Sequence, residues 1–173
     1  QVLSATSLAY PDIIVAHAAS GTYSAGGYIN NSNPAFSGGS YVNFYAQAEP
    51  GPRGYWAEVP FNVAAEGDYQ VLFSGNSLAR LKVDLSTEPH QASNPSISPF
   101  SWAIDGGPEC RVEDALSFRA PGRFIGAPEG LGILGTVHLA PGPHKFTLRL
   151  TGRRLVYDNN YALWFNAVAF VKR

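Results

Sequence analysis

"HLAPGPHKFTLRL", residues 138–150, carries the pattern that decides the fold. In its second half Phe146, Leu148 and Leu150 alternate with Lys145, Thr147 and Arg149. Successive side chains of a strand point to opposite faces, so this alternation predicts a strand with one face on a core. "VAAEGDYQVLF", residues 63–73, is built the same way. Tyr69, Val71 and Phe73 alternate with Gln70, Leu72 and Ser74. Both segments read strand, tight turn, strand, with Gly67 and Gly142 expected to supply the turn backbone.

The same period recurs along the chain and predicts strands near 8–17, 41–47, 56–63, 68–74, 78–84, 98–104, 110–118, 133–139, 144–151 and 161–171. No segment shows a useful length of helical stripe. Composition agrees: 18 Gly, 13 Pro and 13% aromatic residues suit strands, turns and ordered loops better than helices. Many short strands between Gly/Pro turns predict an all-β protein, either a two-sheet antiparallel β-sandwich or a barrel. Its 173 residues suit one domain, 1–173, with a full core.

Other features narrow the function classes. A formal charge of −1 points to neither nucleic acid nor an anionic membrane. No apolar run approaches the ~18 residues of a membrane span. Cys110 is the one cysteine, so no intrachain disulfide forms. The absence of methionine suggests a processed chain or a piece of a longer one. "NNS" at Asn30–Ser32 matches a glycosylation sequon, a short pattern that arises often by chance.

Connections are more informative. If successive strands reverse, 48–55, 75–77, 105–109 and 140–143 fall at one end. The other end receives 18–40, 64–67, 85–97, 119–132 and 152–160, so the long loops gather there. Loops longer than about 12 residues are uncommon in compact domains without a function. Tyr23, Tyr28, Asn30, Asn31, Phe36, His90, Arg119, Arg123, Phe124, Tyr157, Asp158, Asn159 and Asn160 are among the residues they carry. Aromatic faces stack on the apolar faces of sugar rings, and amides, carboxylates and arginines hydrogen-bond to hydroxyls. For any one of these residues a turn or core-capping role is the plainer reading. As a set they predict a carbohydrate site, with Tyr28 or Phe124 stacking and Arg123, Asn159 and Asn160 hydrogen-bonding. "DNNY", 158–161, offers three adjacent side-chain oxygens for a sugar or calcium, but lacks the spacing of a calcium loop.

Catalytic chemistry finds little support. Asp105, Glu109, Glu113 and Asp114 cluster in "IDGGPECRVED", but Asp105 and Glu109 fall at the short-turn end, where a paired-carboxylate hydrolase site is not expected. His17, His90, His138 and His144 lack zinc spacing, and no nucleophile elbow or phosphate loop is present. No catalytic residue and no cofactor is expected.

The chain resembles carbohydrate-binding modules of families 6 and 35, with a galactose-binding-like jelly roll. The resemblance rests on "SGGSYVNFY" (37–45), "GYWAEVPFNVAAEGDYQVLFSG" (54–75), "WAIDGG" (102–107), "GTVHLAPGPHKFTLRL" (135–150) and "ALWFNAVAFV" (162–171), in that order. It covers most of the chain after about residue 10 and implies a jelly roll with ligands at loops joining the sheets, or on a concave sheet face. Such modules are non-catalytic and usually tethered to glycoside hydrolases or polysaccharide lyases. They place an aromatic in the first long loop and an asparagine just before the closing strand, which matches Tyr28 and Asn159 or Asn160 by region. Relatives often hold a structural calcium with first-strand glutamates and a closing-strand aspartate. Here Ala16, His17 and Ala18 stand near the first positions and Asn166 at the last. No metal is therefore expected there, and Asn166 is expected to be buried and bonded to first-strand backbone or His17.

The expected function is a non-catalytic carbohydrate-binding module, secreted or cell-surface, that targets a polysaccharide-degrading enzyme to its polysaccharide or oligosaccharide. The alternatives are a structural β-sandwich packed on a catalytic domain without binding glycan and, more remotely, a small hydrolase or lyase using the acidic cluster. The partners expected are the glycan and a tethered catalytic domain, not nucleic acid or a membrane.

Overall fold

A computed structural model describes residues 13–31, 36–75, 97–112, 118–119, 131–155 and 158–173. Among these residues there are two antiparallel sheets and no α-helix. One sheet contains β1 (Ile13–His17), β3 (Gly27–Asn30), β4 (Tyr41–Ala46), β6 (Gly67–Gly75), β9 (Phe118–Arg119), β10 (Leu131–Leu139) and β12 (Tyr161–Lys172). The other contains β2 (Thr22–Tyr23), β5 (Trp56–Val63), β7 (Phe100–Ile104), β8 (Cys110–Val112) and β11 (Gly142–Leu150). The predicted β-sandwich is the fold found.

Alternation explains how the sheets meet. Phe146, Leu148 and Leu150 of β11 are buried, as are Tyr69, Val71 and Phe73 of β6. They share one core with Val42, Phe44, Leu163, Phe165, Val168 and Phe170. Leu72, on the opposite face of β6, joins Ala167 and Ala169 in a smaller cluster with Ile13, Val15, Ile133 and Val171. The two turn glycines differ. Gly142 has φ 127, a conformation that disfavours a side chain. At Gly67 a Cβ would lie 2.8 Å from Lys172 Cε, the end of a flexible side chain that can move aside, so this position does not require glycine.

Strand order corrects the expected layout. β1 pairs with the second half of β12 (His17 opposite Ala167) and β4 with the first half (Phe165 opposite Val42). Both are antiparallel to β12, so β1 and β4 run in the same direction along one of its sides. The reversal assumed between them does not occur, because segment 18–40 is not one loop. It contains β2, β3 and two 3-10 turns, and passes from one sheet to the other and back. Loops 48–55 and 64–67 therefore exchange ends. The turn 47–55 lies beside 151–160, since Ala46 pairs with Tyr161, and 64–66 lies beside 140–141, since Val63 pairs with Gly142. β6 ends and β7 begins at the 151–160 end, as do β9 and β10 respectively. The expected strand 110–118 resolves into β8 and β9, which belong to opposite sheets. The expected strand 78–84 lies outside the described residues.

The opposite end has short turns and a titratable pair. His144 Nδ1 lies 2.7 Å from Asp105 Oδ2, and its Nε2–H donates to Ala140 O at 2.8 Å. Asp105 Oδ1 accepts the Lys145 N–H at 2.7 Å. The bond to Asp105, followed by that to Ala140, raises the His144 pKa above its usual value. Imidazolium donates from both nitrogens, while a neutral ring donates from only one. A raised folded-state pKa gives stability that is full below the unfolded value and lost as pH rises through the folded one. Thermal melts of wild type and His144→Gln should therefore differ more at acidic than at alkaline pH. A constant difference would show that the ring acts by packing alone, through its stacking on Phe61 at 5.5 Å.

Candidate functional site

The outer face of β4 follows from the same alternation. Val42 and Phe44 enter the core, so Tyr41, Asn43 and Tyr45 face outward. Tyr28 of edge strand β3 stands opposite Asn43, and Trp164 of β12 stands opposite it on the other side. Tyr28 and Tyr45 are 49% and 51% exposed, which makes them open aromatic faces rather than core. On the same face Phe36, Tyr41 and Trp164 pack together, with Tyr41 and Trp164 centroids 5.1 Å apart.

The loop before β12 borders this face. Asp158 Oδ1 accepts the Asn160 backbone N–H at 3.2 Å, an Asx turn in "DNNY" that sets Asn159 at φ 54, a region asparagine tolerates. Arg154 Nε and Nη2 donate to the two Asp158 carboxylate oxygens at 2.7 and 2.6 Å. The Tyr45 hydroxyl also donates to Asp158. The Arg154 bonds first and that of Tyr45 second hold the Asp158 carboxyl far below the usual carboxylate range. Beneath, Arg153 Nη2 donates to Glu49 Oε1 and to Gln47 O, both at 2.7 Å, and Nη1 to Asn159 O at 3.0 Å. The Tyr161 hydroxyl donates to Glu49 Oε2 at 2.8 Å. Arg153, then Tyr161, lowers the Glu49 pKa. Two carboxylate–guanidinium couples thus tie 47–55 and 151–160 to each other and to β4.

The expected site residues are distributed as follows. Tyr28 lies on the outer sheet face, and exposed Asn159 lies in the Asx turn. Asn160 is 1% exposed, and its Nδ2 has no partner among the described residues. Arg123 and Phe124 lie outside the described residues. Sequence patterning did not single out Tyr45, Arg153 or Arg154. The alternation of "YVNFYA" was the signal for Tyr45, because inward Val42 and Phe44 send it outward.

Elsewhere, Glu109 accepts Ser101 Oγ at 2.8 Å and bonds Arg149, while Asp105 is occupied as above. Both carboxylates are held by structural partners. Glu113 and Asp114 lie outside the described residues.

Asn166 is fully buried at a bulge in β12, where its neighbour changes from β4 to β1. Its Nδ2 donates to Ser40 O at 2.7 Å and its Oδ1 accepts the Ser74 hydroxyl at 3.1 Å. These two partners lie before β4 and on β6. The bulge aims the amide across the sheet. With its oxygen engaged, its N–H side turned to a carbonyl, and Ala16 and His17 on the first strand with Ala18 in the 3-10 turn after it, this donor set does not fit calcium, a hard cation that takes several oxygens. Among the described residues no group of three histidine, cysteine or acidic side chains could hold a metal ion.

No protein-family model matches the sequence, and no curated protein matches it. Solved structures do. A family 35 carbohydrate-binding module from Clostridium thermocellum superposes with TM-score 0.50 at 16% identity, over 91% of this chain and 97% of that one. The chain has the fold of a family 35 carbohydrate-binding module. The same fold matches a GH26-CBM35 β-(1,4)-mannanase of Podospora anserina (TM-score 0.56, 9% identity) and a Paenibacillus xanthan lyase (0.54, 16%). Each match covers 94% of this chain, which spans only 28% of the mannanase and 13% of the lyase.

Proposed function

We propose that this chain is a non-catalytic carbohydrate-binding module that holds a secreted or cell-surface glycan-degrading enzyme on its polysaccharide. The observation that carries the reading is an exposed tyrosine face at Tyr28, beside a loop whose asparagines are held by paired charges. Stacking supplies affinity, and in-plane hydrogen bonds supply selectivity. Tyr28 and Phe124 offer the stacking faces. Arg123, Asn159 and Asn160 offer the polar contacts. The Asn160 amide N–H, buried and without a partner among the described residues, is a donor that a sugar hydroxyl oxygen would satisfy. Residues 1–173 act as one module, beside a catalytic domain in the parent protein. The match to parts of a mannanase and a xanthan lyase supports this arrangement.

The test is retention on mannan, β-1,3-galactan, dextran and xanthan together with a glycan array, followed by calorimetric titration of the bound glycan. Tyr28→Ala, Phe124→Ala and Asn160→Ala should each weaken binding by about 10- to 100-fold with folding intact. If all three bind like wild type, the site lies elsewhere. If wild type binds no glycan at all, the structural-sandwich reading replaces this one.

A further inference from the structure

Tyr28 and Tyr45 share an arrangement that a single stacking residue does not need. Tyr28 stands opposite Asn43, and Tyr45 is two residues further along the same strand on the same face. They are diagonal cross-strand neighbours, about 7–8 Å apart along the sheet. Both rings are half exposed, and both phenol oxygens are tied back to the protein. Asn43 Nδ2 donates to the Tyr28 hydroxyl oxygen at 2.7 Å, and the Tyr45 hydroxyl donates to Asp158. An unattached surface tyrosine directs its hydroxyl to water and samples several rotamers. These two are pinned at that end, which leaves ring surface exposed, with one face of the Tyr45 ring under the Arg154 guanidinium. Arg154 fixes the second ring further, with its guanidinium 5.5 Å from the Tyr45 centroid and two bonds to the same Asp158. Pinning removes the entropy that a ligand would otherwise have to overcome when it orders a side chain.

A second observation also points to a ligand. Asn43, between the two tyrosines, is 9% exposed, and its Oδ1 has no partner among the described residues. A sugar hydroxyl, which both donates and accepts, suits that carboxamide. An apolar contact would leave it unpaired.

We infer that Tyr45 is a second stacking residue, and that Tyr28 and Tyr45 floored by Asn43 form a two-ring platform for adjacent pyranose units of one oligosaccharide chain. This rests on the carbohydrate-binding reading and specifies its ligand: a chain of at least two sugars. Asp158 is a positioning residue, because it holds the Tyr45 ring and the Asn159 turn together.

The experiment is a titration of oligosaccharides of one to four sugars prepared from mannan, β-1,3-galactan, dextran and xanthan. Wild-type affinity should rise about tenfold from one sugar to two. Tyr45→Ala should lose that increment, while Tyr28→Ala should weaken every length. Tyr45→Phe, which keeps the ring but loses its tie to Asp158, should fall between wild type and Tyr45→Ala. Melting temperatures check that the variants fold. If Tyr45→Ala keeps the increment while Tyr28→Ala loses binding, the platform is wrong and the binding function stands. If wild type binds none of the four series and no glycan on the array, both fail together.

Discussion

Replacing Phe170 with alanine is expected to cost about 3–5 kcal/mol of folding stability, the top of the range for large-to-small changes in a core. The ring is fully buried and joins the two sheets. It stacks on Phe61 of β5 with centroids 4.0 Å apart and planes 16° from parallel, and meets Phe146 of β11 edge-on at 6.5 Å. Truncation removes both contacts and leaves a cavity where close-packed sheets cannot collapse. Urea unfolding of wild type and Phe170→Ala measures the loss as a shift in midpoint at constant slope. A loss below about 1 kcal/mol would mean that this junction repacks freely, contrary to the interior density expected of a folded protein.

The second large effect is expected at Asn166. Asn166→Ala leaves the Ser40 carbonyl and the Ser74 hydroxyl without this partner, at about 1–3 kcal/mol for each group that stays unsatisfied. Asn166→Asp sharpens the test. A carboxylate oxygen would face the Ser40 carbonyl inside the protein, so burial and repulsion favour its protonated form, which can donate where the amide did. The aspartate variant should be less stable than wild type at neutral pH and recover part of the difference in acid. Calcium or a chelator should leave the wild-type melting temperature unchanged. A rise with calcium that chelator reverses and Asn166→Ala abolishes would overturn the amide tie as the residue's role.

The candidate site was legible in part. Tyr28 and the "DNNY" turn stand out as polar and aromatic residues outside the apolar alternation. Tyr45 was equally visible in "YVNFYA", but it lies within a strand, where an aromatic side chain is ordinary and does not by itself mark a site. Its pinning was not visible, because Asp158 is 113 residues away and meets it only when β12 pairs with β4. Glu49 and Arg153, 104 residues apart, are a similar case.

What the sequence determined by itself is local. Alternation assigned the longer described strands and their inward faces, because side-chain direction along a strand depends only on neighbouring residues. Composition and turn residues made the fold all-β. What only the tertiary structure decided is which strands are neighbours. β1 and β4 read as successive reversing strands, yet they lie end to end along one side of β12. That placement moved 47–55 to the candidate-site end, and it turned Asn166 toward Ser40 and Ser74 at the change of partner. Pairing depends on hydrogen bonds between segments far apart in the chain, and many registers satisfy the same alternation. Only the packing of both sheets over one core selects among them.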